Sequence, residues 1–142
     1  MNTQPDSWSS PADTTKKFLS RQITHRLSRF LDRRKYEAVY EGGLDVFNSS
    51  GEVSDVVIYQ KENGLLPVVA VEICNKAELS EKTGIARQLM NRFRLKEFFL
   101  YTMDEKCWYR QSASSSENTP SCISESLALT FEDTLTLLPV SM

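Results

Sequence analysis

The chain has 142 residues, 40% of them hydrophobic and 25% charged, a balance that suits one domain built on a single core. No apolar run approaches the roughly 20 residues that a helical bilayer span needs, and the start MNTQPDSWSSPADTT has neither the basic nor the apolar stretch of a secretory signal, so no membrane span is expected and the cytoplasm is the expected compartment. The net charge of −2 excludes a globally basic nucleic-acid coat. Its distribution is uneven, because Lys16, Lys17, Arg21, Arg26, Arg29, Arg33 and Arg34 oppose only Asp32 between residues 16 and 34, a local +6 that leaves about −8 for the rest.

Residues 1–13 hold two prolines and three serines and read as a disordered tail, which leaves 14–142 as the folded domain. From Asp13 or Thr14, either able to cap a helix, Phe18, Leu19, Ile23, Leu27, Phe30 and Leu31 recur at helical spacing and predict an amphipathic helix. Its polar face carries most of the arginines, of which Arg21, Arg26, Arg29 and Arg33 are candidate phosphate contacts; a solvated surface is the alternative. His25, the one histidine, reads as a surface residue and excludes a site built on a histidine pair. A first strand follows over Tyr36 to Phe47, bent or bulged near Gly42-Gly43, and Asn48 to Gly51 is a turn.

The stretch Ser54 to Lys76 carries the strongest pattern. Val56-Val57-Ile58 and Val68 to Ile73 are rich in β-branched residues and are joined across Lys61-Glu62-Asn63-Gly64, which predicts a hairpin. Asp55 opens its first strand, and Glu72 interrupts the apolar second one. A lone carboxylate among Val, Ala and Ile is costly to desolvate, so Glu72 calls for a sheet end or a cation, and a metal ion would serve. A second helix is expected from about Leu79 to Leu95, then strands over Lys96–Tyr101 and Cys107–Arg110 around a turn at Met103–Lys106. Residues 112–121, SASSSENTPS, read as a flexible loop, and Leu127 to Val140 as a strand or a short helix. Cys74, Cys107 and Cys122 are far apart and lack CxxC spacing, which argues for reduced thiols over a disulfide framework or zinc site. There is no Walker loop, GxGxxG or GxSxG motif, and no Ser/His/Asp set.

The order helix, three strands, helix, strand, with acids at Asp55 and Glu72, resembles the core of the PD-(D/E)XK nuclease superfamily, and in particular the family labelled "putative restriction endonuclease". The residues that carry the likeness are Ser54-Asp55-Val56-Val57-Ile58 and Val71-Glu72-Ile73-Cys74, with Glu41 standing 14 residues before Asp55. It covers roughly residues 16 to 110. The resemblance implies an α/β fold with an αβββαβ core and a mixed sheet of four to five strands flanked by helices. It also implies a nuclease hydrolysing DNA phosphodiesters with Mg²⁺ or Mn²⁺ held by Asp55, Glu72 and Glu41; whether the chain forms a homodimer is left open. The usual lysine after the second acid is Cys74 here, so Lys76 or Lys82 is expected to take that catalytic role beside Asp55 and Glu72. Otherwise the chain is an inactive member of the same fold that binds nucleic acid or a protein partner.

Overall fold

A computed structural model describes residues 11–45, 51–62, 64–115 and 118–135, with the side chains of 11–13 and 133 left aside. Helix α1 runs from Pro11 to Phe30. It therefore begins inside the expected tail, with proline at its first position, where the missing N–H is no loss. Ser20, Ile23, Leu27 and, just past the helix, Leu31 are buried at helical spacing, and this stripe rests on the sheet. Phe18 and Phe30, expected on the apolar face, are 58% and 48% exposed because they fall to either side of that stripe.

Strands β1 (Tyr36–Gly43), β2 (Val53–Lys61) and β3 (Leu65–Cys74) form an antiparallel meander. The first strand deviates at Glu41, whose φ of 52° interrupts the ladder one residue ahead of the glycines. A single 3-10 turn, Lys76–Glu78, leads into helix α2 (Leu79–Phe93). Arg94 in a left-handed conformation ends that helix by donating its N–H to the Met90 carbonyl. The helix crosses over so that β4 (Glu97–Thr102) lies parallel to β3. Strand β5 (Cys107–Ser112) returns antiparallel, and β6 (Thr119–Pro120) adds a short sixth strand. The sheet order is β1-β2-β3-β4-β5-β6, one strand beyond the expected four to five.

Because side chains alternate along a strand, each central strand feeds two cores. Val56, Ile58, Val69, Val71, Ile73 and Phe99 pack with Ile23 and Leu27 under α1, while Val57, Tyr59, Ala70, Phe98 and Leu100 pack with Ala86, Leu89 and Met90 of α2. Truncating Leu27, fully buried, to alanine costs about 2–5 kcal/mol. A satellite pair, β7 (Ile123–Ser124) and β8 (Leu129–Thr130), and a 3-10 turn at Glu132–Thr134 bring Leu127, Phe131 and Leu135 into the α1 core. The expected loop 112–121 is thus partly sheet, with Asn118 donating to Thr83 Oγ1 at 2.6 Å; residues 116, 117 and 136–142 lie outside the described residues, as do 1–10, 46–50 and Asn63. The αβββαβ order around a mixed sheet is a restriction-endonuclease-like α/β fold. No helix among the described residues is long and apolar enough to cross a membrane.

Candidate functional site

The β2–β3 ladder pairs Val56 with Val71 at its end. One step further, Asp55 and Glu72 stand across from each other, and by alternation both face the α2 side, as Val57 and Ala70 do. Each carboxylate bonds the backbone of the opposite strand: Asp55 Oδ2 accepts from the Ile73 N–H at 2.7 Å, and Glu72 Oε1 from the Asp55 N–H at 3.3 Å. These bonds fix both acids side by side at the end of the sheet.

Two ammonium groups close on the pair. Lys16, in the first turns of α1, lies 3.5 Å from Asp55 Oδ2 and 3.8 Å from Glu72 Oε2, and Lys82, in the first turns of α2, lies 3.8 Å from Glu72 Oε2. The side chains of Asp55 and Glu72 are only 15% and 16% exposed. Burial, reinforced by the neighbouring Asp55 charge, raises the Glu72 carboxyl to about 7 against the opposing pull of both lysines. Burial likewise raises Asp55, although the Ile73 N–H and Lys16 act the other way. For Lys16 burial favours the neutral amine, but the two carboxylates outweigh it and the amine is held above its usual range. The desolvation cost thus falls on the acids, which have the lower exposure, while the ammonium stays charged.

Of the other residues singled out in the sequence, Lys76 points elsewhere: its ammonium is 3.6 Å from Glu105 Oε2 and over the Tyr109 ring. Its backbone N–H is fixed by Asp104, across the β3–β4 end. Glu41 occupies the register position facing Asp55, but its left-handed backbone turns that residue outward and it is exposed. Among the described residues no three His, Cys, Asp or Glu side chains gather around one point, so Glu41 does not join the pair. Cys74 is buried at the end of β3, and burial together with Glu78 pushes its thiol up to about 11, which keeps it neutral. The three cysteines are free thiols. Lys16 was not anticipated as part of the site, although it sits one turn ahead of Ser20, Ile23 and Leu27 on the buried stripe, where a charge is out of place.

On the outer face of α1, Lys17, Arg21, His25 and Arg29 follow one another at intervals of four and are exposed. Arg21 lies over the Tyr40 ring, Arg29 reaches His25 Nε2 at 3.3 Å, and Arg33 donates to the Ser28 carbonyl at 3.1 Å. Arg26 is half-buried and turned off this ridge.

Asp55 and Glu72 supply hard oxygen donors of the kind that hold Mg²⁺ or Mn²⁺ together with waters and a substrate phosphate. Both ammonium groups stand beyond the roughly 2.7–2.9 Å of a tight charge-assisted bond, so lone pairs on both carboxylates remain open to a cation. The pair could hold one divalent ion, without a third carboxylate.

No family model and no curated protein sequence matches the chain. Among solved structures, it is similar to a protein of Anabaena variabilis described as "a putative nuclease belonging to DUF820", with a TM-score of 0.54 at 14% identity over 89% of this chain and 80% of that one. At that identity the likeness establishes a shared nuclease-like fold.

Proposed function

We propose that the chain is a divalent-metal-dependent nuclease of the PD-(D/E)XK type that hydrolyses DNA phosphodiesters. The observation that carries this reading is the pair of desolvated carboxylates held side by side at one sheet end with lysines from both flanking helices. Asp55 and Glu72 would hold Mg²⁺ or Mn²⁺. When bound, such an ion polarises a phosphodiester and lowers the pKa of a coordinated water. Lys82 would supply the positive charge that Cys74, a buried neutral thiol, does not, reaching from α2 to the acid beside which the motif lysine normally stands. The ridge of Lys17, Arg21 and Arg29 would hold the phosphate backbone through charge, giving affinity without base recognition.

Cys74 favours a second reading, in which the fold binds nucleic acid or a protein without cleaving. A cleavage assay on single- and double-stranded DNA with Mn²⁺ separates the two. Turnover abolished by Asp55→Asn and by Lys82→Met supports the nuclease; metal binding without turnover in the unsubstituted protein establishes the non-catalytic fold instead.

A further inference from the structure

The proposed site contains a cation of its own. Lys16 comes from α1, outside the strands and the second helix that carry the motif, yet it is the side chain that approaches both acids at once, at 3.5 Å from Asp55 and 3.8 Å from Glu72. Lys82 comes within ion-pair distance of Glu72 but not of Asp55. With both acids ionised, two carboxylates and two ammonium groups cancel, and the metal-free cluster carries no net charge. A divalent ion entering with both lysines in place would leave an uncompensated double positive charge in a partly desolvated region, where like charges repel strongly.

We propose that Lys16 is the resident counter-ion of the Asp55–Glu72 pair, that a divalent cation must displace it, and that the displaced ammonium then becomes a contact for the substrate phosphate. This rests on the metal-site reading of the preceding section. Three features support the displacement. Lys16 bridges the two acids, whereas removal of Lys82 would free one only. Its ion-pair distances are loose, with no approach closer than 3.5 Å. Its side chain is 29% exposed on a four-carbon stem, so it can swing outward without leaving a cavity.

Competition between Lys16 and the metal has a signature that a merely supporting lysine lacks. With Mn²⁺ alone and no nucleic acid, calorimetric titration of Lys16→Met should show metal affinity higher than that of the unsubstituted protein, on the order of tenfold for a coupling of 1–2 kcal/mol. Lys16→Arg, which keeps the charge, should remain near the original value, and Lys96→Met, at an exposed lysine beyond the opposite end of β4, should not change it. If Lys16→Met is unfolded without metal, Mn²⁺ should restore its fold. In the unsubstituted protein, NMR of the lysine ammonium groups should show the Lys16 signal moving as diamagnetic Mg²⁺ is added. Unchanged or weaker metal binding in Lys16→Met, with binding intact in the unsubstituted protein, overturns the Lys16 assignment alone. Absence of metal binding in both proteins overturns the assignment together with the metal site.

Discussion

Replacing Glu72 by glutamine tests the electrostatics of the site without any metal. Burial and the adjacent Asp55 charge raise the Glu72 carboxyl from 4.5 to about 7 on folding. Between those values the folded protein binds more protons than the unfolded chain, so stability is greatest below about 4.5 and falls as pH rises toward 7. At about 1.4 kcal/mol per pKa unit, the loss attributable to Glu72 has an upper bound of about 3 kcal/mol, and residual solvent access and the rearrangement of two lysines reduce it. Glutamine mimics the protonated acid. Urea denaturation in EDTA at about pH 5 and about pH 8 should therefore show Glu72→Gln no more stable than the unsubstituted protein at the lower pH and more stable by about 1–3 kcal/mol at the higher. The surface groups titrate in both proteins and largely cancel in the difference, whereas Asp55 loses the repulsion of Glu72 in the variant, a gain already contained in the raised Glu72 carboxyl. A variant that loses stability at the higher pH, compared with the unsubstituted protein, would mean that the lysine pairs outweigh desolvation, and the account of the site would be wrong.

Other expectations follow from separate parts of the molecule. Glu97, buried on β4, accepts from Arg110 Nε at 2.6 Å, Ser124 Oγ at 2.5 Å, the Glu125 N–H at 2.9 Å and the Ser126 hydroxyl. Arg110→Ala leaves that carboxylate short of its cation and should cost about 3–5 kcal/mol, with faster amide exchange at Ser124–Ser126 as the local readout. Burial alone would raise the Glu97 carboxyl, but these hydrogen bonds outweigh it and hold it below 4.5, so this contribution is present above pH 4.5 and should fade as acid titration passes the lower folded value. Gly42→Ala should destabilise by about 1–3 kcal/mol, because a Cβ there would meet Tyr59 Oη and Val57 Cβ, both at 2.9 Å; thermal denaturation checks it. Arg21→Ala with Arg29→Ala should flatten the salt dependence of duplex affinity by about two units, at about 0.9 for each phosphate no longer neutralised, and an unchanged slope would leave the ridge merely solvated.

The central hairpin was legible because its apolar runs are long and flanked by turn residues, and the two acids stand out against them. Element order followed from the same contrast of periods, about 3.6 in the helices and about 2 in the strands. What escaped was short or conformational. Strands of two residues, such as Thr119–Pro120 and Leu129–Thr130, have no period to read, and Glu41 lost its place beside Asp55 through a left-handed backbone that composition does not reveal. Lys76 is nearer in sequence to Glu72 than Lys82 is, but the 3-10 turn and Asp104 direct it toward Glu105. Lys16 dissolved into a helix full of positive charge. Its signal was positional: it precedes Ser20, Ile23 and Leu27 on one stripe, just as Lys82 precedes Ala86 and Leu89 on the other helix. In both helices a lysine on the core face, one turn before the apolar residues begin, marks the end of the sheet where the carboxylates need charge.

Anomalous diffraction at the manganese edge, from crystals of the protein grown with Mn²⁺, tests the claim that Asp55 and Glu72 form a metal site. A single peak shared by both carboxylates, with the Lys16 ammonium displaced from its 3.5 Å approach to Asp55, is the expected result. Full Mn²⁺ saturation with no peak at these acids, and Lys16 still bridging them, would show that the cluster is an internal ion-pair network and nothing more.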